Sequence, residues 1–263
     1  MLNSISILAA LVTLQLPLQA LSQVDKRAIE IDNSIEPNAA PKPRQRLAKF
    51  VRISEAPPKT VHRDGGGRFE LTCEAMGMPA PSIQWLKNGE PLSDFDEATN
   101  DIIASHPSSL GRLTTTLILA SNARGDGDVY TCVATSAGNQ DVASTTVYGN
   151  SEENPAKLLH DLYMPSAPRI TTFYNEIIQE IGSDVLLLCR VHSNTEAHVF
   201  WQHNEELLYD NPRIRMLPSG DLLVTSLRWS DMGMFTCNVR NAFGKDSAST
   251  FLYPAKKKQP RPA

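Results

Sequence analysis

From about residue 50 to residue 254, apolar and polar side chains alternate in short runs broken by turn residues. In FELTCEAMG, Phe69, Leu71 and Cys73 fall on one face, and in PSIQWLKNG Ile83 and Trp85 do the same. A period of two is the mark of a strand with one face buried. The second half repeats it: Val185, Leu187 and Cys189 share a face, followed by Val199 and Trp201. Leu117 and Leu119 in the first half, and Leu222, Val224 and Leu227 in the second, mark a later inward-facing segment. Lys87-Asn88-Gly89-Glu90-Pro91, Pro218-Ser219-Gly220 and Asn241-Ala242-Phe243-Gly244 separate the runs as turns. The pattern predicts an all-β chain.

The four cysteines then organise these strands. Trp85 follows Cys73, and Trp201 follows Cys189, at the same interval of 12 residues, with Cys132 and Cys237 further on. A repeated Cys…Trp…Cys of this size predicts two sandwiches, each with a bridge between its sheets (Cys73–Cys132 and Cys189–Cys237) and a Trp packed over it. Each bridge contributes roughly 4 kcal/mol in the loop-entropy account. Tyr130 lies two residues before Cys132, where its hydroxyl reaches back to the corner between strands E and F. Phe235 holds that place in the second repeat and forgoes a hydrogen bond worth on the order of 1 kcal/mol. Trp85, Trp201, Tyr130 and Phe235 are therefore core residues. The expected fold is two tandem immunoglobulin-like β-sandwiches, at 50–149 and 168–254, and CEAMGMPAPSIQW in the first and CNVRNAFG in the second resemble the I-set class of that fold.

The flanks read differently. Residues 1–22 hold an apolar run from Ile5 to Leu18 with no charge, and small residues Ala20 and Ser22 precede Gln23, which predicts a signal peptide. Residues 23–49 are charged and Pro-rich, an arm without sustained periodicity. No second stretch approaches the ~18–20 apolar residues needed to span a bilayer, and the tail at 255–263 is polar and basic, so no membrane anchor is expected. An exported, extracellular chain suits the disulfides. The linker at 150–167 is long for a compact protein. Its Leu158, Leu159, Leu162, Tyr163 and Met164 form an apolar cluster that either plugs the joint between the domains or offers a surface to a ligand.

A net charge of −4 argues weakly against nucleic acid as the ligand. No nucleophile elbow, phosphate-cradling loop or paired-acid motif appears, so an enzyme is not expected. His192, His198 and His203 lack metal-ligand spacing, and neither metal nor cofactor is expected. Arg124-Gly125-Asp126 spells the integrin tripeptide, but Asp126 and its counterpart Asp231 occupy the corner position of a structural acid, the preferred reading. No N-glycosylation sequon is present.

Outward strand positions supply candidate binding residues: Phe200 and Met234 in the second domain and Leu86 in the first, beside the linker cluster. Domain–domain or homodimer packing is the competing use of these side chains. IDNSIE, APPKT, CEAMGMPAPSIQW, CRVH, GDLLVTSLRWSDMG and NAFGKDSASTFLYP together resemble the insect secreted insulin-binding proteins, the neural/ectodermal development factor family. The resemblance runs from about residue 31 to 254. It implies a protein of the haemolymph that binds insulin-like peptides, withholds them from the insulin receptor and lowers growth signalling. A secreted neuronal adhesion or guidance factor is the alternative.

Overall fold

The computed structural model describes residues 48–62, 68–92, 106–119, 127–149 and 163–256. The signal-peptide and arm readings, Leu158, Leu159, Leu162, Arg124-Gly125-Asp126 and most of the basic tail lie outside these residues.

The first half folds into β1 (Phe50–Glu55), β2 (Thr60–His62), β3 (Phe69–Met78), β4 (Ser82–Lys87), β5 (Glu90–Pro91), β6 (Leu110–Leu119), β7 (Asp128–Ser136) and β8 (Asn139–Tyr148). The second half adds β9 (Arg169–Glu180), β10 (Val185–Leu187), β11 (Arg190–His192), β12 (His198–His203), β13 (Glu206–Leu207), β14 (Ile214–Met216), β15 (Leu222–Val224), β16 (Gly233–Asn241) and β17 (Gly244–Ala255). Both halves are immunoglobulin-like sandwiches. Cys73 is bonded to Cys132 and Cys189 to Cys237. Trp85, Tyr130, Trp201 and Phe235 are all buried. Burial of such aromatic side chains in these two cores supplies several kcal/mol apiece of the folding drive.

The repeat persists in small details. Asp141 on β8 accepts the Ile53 N–H at 2.8 Å, and Asp246 on β17 accepts the Ile170 N–H at 2.9 Å. Each carboxylate thus ties the first strand of its domain to the last. Asp231 accepts two hydrogen bonds from Arg213, at 2.8 and 3.0 Å, closing the corner of the second domain. In place of a tyrosine hydroxyl, Phe235 stacks its ring on His203 with centroids 4.3 Å apart.

The halves are not beads on a tether. Strand β6, an outer strand of the first domain's sheet, pairs antiparallel with β9, the opening strand of the second. β9 also pairs parallel with β17. One nine-stranded sheet therefore runs β1-β3-β6-β9-β17-β16-β12-β13, with β11 also on β9. The backbone groups that an outer strand leaves open are satisfied here by the neighbouring domain. Separate sheets, β2-β8-β7-β4-β5 and β10-β15-β14, close the two sandwiches.

Side chains seal the seam. Ala80 and Leu113 of the first domain share one buried cluster with Tyr174 and Ile177 of the second. Above it, Arg112 donates to Glu176 at 2.8 Å, and Arg169 grips both carboxylate oxygens of Glu70 at 3.0 and 2.9 Å. Thr114 donates to Asn175 at 2.6 Å, and Ser108 to Glu180 at 3.1 Å. Tyr163 and Met164 do not plug this joint: Tyr163 is 78% exposed and Met164 48%. The seam is already filled by strand residues, leaving these two in solvent.

Candidate binding surface

The nine-stranded sheet has one face on the two cores and one face outward. Strand alternation decides which side chains each receives. Leu71, Cys73 and Ala75 on β3, Leu113 on β6, Ile177 on β9, Leu252 on β17 and Phe235 on β16 are all buried inside. Their immediate neighbours in sequence point the other way.

Register aligns those outward residues across the strands. Phe50 lies opposite Met78, Leu110 opposite Ile178, and Ile178 opposite Tyr253. Met78 and Leu110 themselves sit one step beyond the Gly77–Gly111 pair. In the adjoining row Arg52 faces Met76, Met76 faces Arg112, Arg112 faces Glu176, Glu176 faces Phe251 and Phe251 faces Met234. The first row crosses five strands, β1 to β17, and the second six, β1 to β16, about 19 and 24 Å at ~4.8 Å per strand.

The first row is apolar along its whole length and bridges the seam without interruption. Its second-domain end widens into an exposed patch of Phe251, Tyr253, Met232, Met234 and Trp229. Trp229 is held edge-on to Tyr253, centroids 5.8 Å apart. The second row carries the Arg112–Glu176 ion pair at its centre, with both side chains about two-fifths exposed. Such an exposed pair adds little stability, but it places polar groups beside the apolar stripe. A stripe of this size exceeds scattered surface hydrophobicity and is of the kind that marks an interaction surface.

Met234 belongs to this surface. Phe200 lies on the same face but four residues further along the strand direction, opposite Asn238 and beneath the Arg240 guanidinium, 5.9 Å from its ring centroid. Gln202 and Asn238, hydrogen-bonded at 3.0 Å, stand between it and Met234. The two do not form the exposed Phe–Met pair that strand parity suggested, because the register of β12 on β16 sets Phe200 against Asn238 and ends at His203 against Phe235. Leu86 sits on β4, in the five-stranded sheet, facing away from that domain's core. It is not part of the stripe. Tyr163 and Met164 are exposed, and Asn194 donates its side-chain amide to the Met164 carbonyl.

Phe50, Met76, Met78, Leu110, Ile178, Trp229, Phe251 and Tyr253 escaped the sequence reading. The available signal was a failure of alternation. Phe251-Leu252-Tyr253 and Ile177-Ile178 are consecutive apolar residues, so each strand must show an apolar side chain on both faces. Among the described residues no group of three or more His, Cys, Asp or Glu side chains is arranged to hold a metal ion. No helix among them is long and apolar enough to cross a membrane.

Residues 52–136 match the immunoglobulin domain family and residues 168–253 the immunoglobulin I-set domain family. Over 231 residues the chain is 33% identical to neural/ectodermal development factor IMP-L2 of Drosophila melanogaster, covering 86% of this chain and 85% of that protein. It is 34% identical over 220 residues to zwei Ig domain protein zig-2 of Caenorhabditis elegans, covering 80% and 86% respectively. The crystal structure of neural ectodermal development factor IMP-L2 matches with a TM-score of 0.67 at 32% identity, over 79% of this chain and 95% of that one.

Proposed function

The chain belongs to the neural/ectodermal development factor family, and we propose on that footing that it is an exported carrier which sequesters insulin-like peptides and lowers insulin-receptor signalling. One observation carries the reading: the apolar stripe that crosses five strands and both domains, with aromatic anchors at its second-domain end. Insulin-like hormones engage their receptor through an apolar surface. A protein that withholds them needs a complementary surface of roughly 800 Å² per partner, anchored by a few large side chains. Phe251, Tyr253, Trp229 and Met234 are those anchors, and Met78, Leu110 and Ile178 extend the contact over the seam. Phe200 borders the stripe four residues along the sheet, whereas Tyr163 and Met164, beside Asn194 near the start of β9, lie at the other end of the sheet from these anchors and are not assigned to the contact. Leu86 faces out of a different sheet and takes no part.

Calorimetric titration with an insulin-like peptide tests the reading. Nanomolar binding is expected, and Phe251→Ser and Met234→Ser should each weaken it about tenfold or more, the loss of about 1.4 kcal/mol per anchor. Leu86→Ser should leave it unchanged. Unaltered affinity in folded Phe251→Ser and Met234→Ser proteins would rule the stripe out as the contact. The stripe ends beside β1, an outer strand of the sheet, which is the one feature favouring a neuronal adhesion or guidance role. Absence of hormone heat together with cell-surface staining would decide for that alternative.

A further inference from the structure

We propose that Tyr209 is a site of tyrosine O-sulfation, acquired as the chain passes through the secretory route. The inference rests on the export reading above and is independent of what the stripe binds.

Six tyrosines occur in the sequence. Tyr130 and Tyr174 are buried and Tyr148 is half-buried with its ring stacked on His62. A transferase needs a phenol it can surround, and the two that stand free of the surface are Tyr163, 78% exposed, and Tyr209, 75% exposed. Their surroundings differ in charge. Glu205, Glu206 and Asp210 flank Tyr209 within four residues, whereas Tyr163 has Asp161 alone and Tyr253 is followed by a run of lysines.

Tyr209 lies on the stretch between β13 and β14, outside regular secondary structure and ahead of Asn211-Pro212. Glu205, Glu206 and Asp210 are exposed with it, so the acids and the phenol are presented together. The first cation downstream does not neutralise them. Arg213 is committed to Asp231, with both guanidinium–carboxylate contacts near 3 Å. One Asp210 oxygen accepts the Met216 N–H at 3.0 Å, which pins the loop. An acidic, exposed and turn-bounded segment is steered into a basic catalytic cleft.

The chemistry balances without redox. The Tyr209 phenol oxygen attacks the sulfur of a phosphosulfate donor. The new O–S bond forms as the donor's S–O bond to its phosphate breaks. The phosphate leaves as an anion, and the phenolic proton passes to a base on the transferase. The product is an aryl sulfate with a permanent negative charge at the edge of the second domain.

Mass spectrometry of the chain collected from the medium of expressing insect cells tests this. The peptide containing Tyr209 should carry one sulfo group, lost in brief acid hydrolysis and untouched by phosphatase, while the Tyr163 peptide carries none. Tyr209→Phe should remove it. The triple variant E205Q/E206Q/D210N should reduce occupancy about tenfold, the lower end of what charge steering supplies. An exported chain with unmodified Tyr209, a phosphatase-sensitive group, or equal modification at Tyr163 would overturn the proposal. A chain that never reaches the medium would overturn the export reading, and the proposal with it.

Discussion

Asp231 concentrates the electrostatics of the second domain in one carboxylate. It is nearly buried and accepts from the Arg213 guanidinium and from the Arg228 backbone N–H. Burial pushes its carboxyl upward, but the hydrogen bonds and charge of Arg213, with the Arg228 amide, outweigh this and hold it below the ordinary value of 3.8. The folded state therefore prefers the ionised form more than the unfolded chain does. Its contribution is present in full above the ordinary carboxylate range and is lost as pH falls through the lower folded value. Asp231→Ala, which strands Arg213, should cost about 3 kcal/mol at neutral pH. Urea unfolding of both proteins should show that gap narrowing below pH ~4. A gap that stays constant into strong acid would mean the charge is not what stabilises the corner.

Among the elements, β9 has the least ordinary burden. It gives one stretch to β11, another to β17 and an edge to β6. Its sequence shows the strain of serving both faces, with Phe173-Tyr174 and Ile177-Ile178 as apolar doublets around Asn175, where the register to β6 shifts. The sandwiches were legible in the sequence because a disulfide, a Trp and strict alternation are local signals at fixed spacing. The β6–β9 pairing was not, since nothing in the TTT of β6 specifies which strand it meets, and a linker of that length sets no geometry between the domains. Part of the outward apolar stripe was hidden for the same reason: strand parity places Met234 outward but says nothing of which residue lies across from it. Gly111 offers a test of the element. A Cβ there would lie 2.8 Å from the Ala80 Cβ and 3.3 Å from the Tyr174 ring. Gly111→Ala should therefore destabilise the seam by about 1–3 kcal/mol. Amide exchange should accelerate in Thr172–Ile178 ahead of the Cys–Trp cores. Unchanged protection there would show that the seam yields without cost.

For the whole molecule, the shared sheet and the shared buried cluster couple two domains that composition alone would leave separate. Interfaces between domains usually permit motion, but a hydrogen-bonded strand pair resists it. Calorimetric melting of the full chain should give one cooperative transition, and two resolved transitions would contradict the coupling. The first domain truncated after residue 149 should melt at lower temperature than in the full chain, because β6 is left as an open edge.

That open edge also exists for a time in every molecule made. The first domain is complete in sequence at Tyr148 and β9 at Glu180, about 30 residues later, so at ~5–20 residues per second the first domain waits a few seconds for its partner strand. During that interval the nascent chain displays an unpaired strand beside a neighbour that is translating the same message. Guarding β6 against other β6 strands is thus a task of the biosynthetic machinery, and how well the compartment performs it will set the yield of correctly assembled protein.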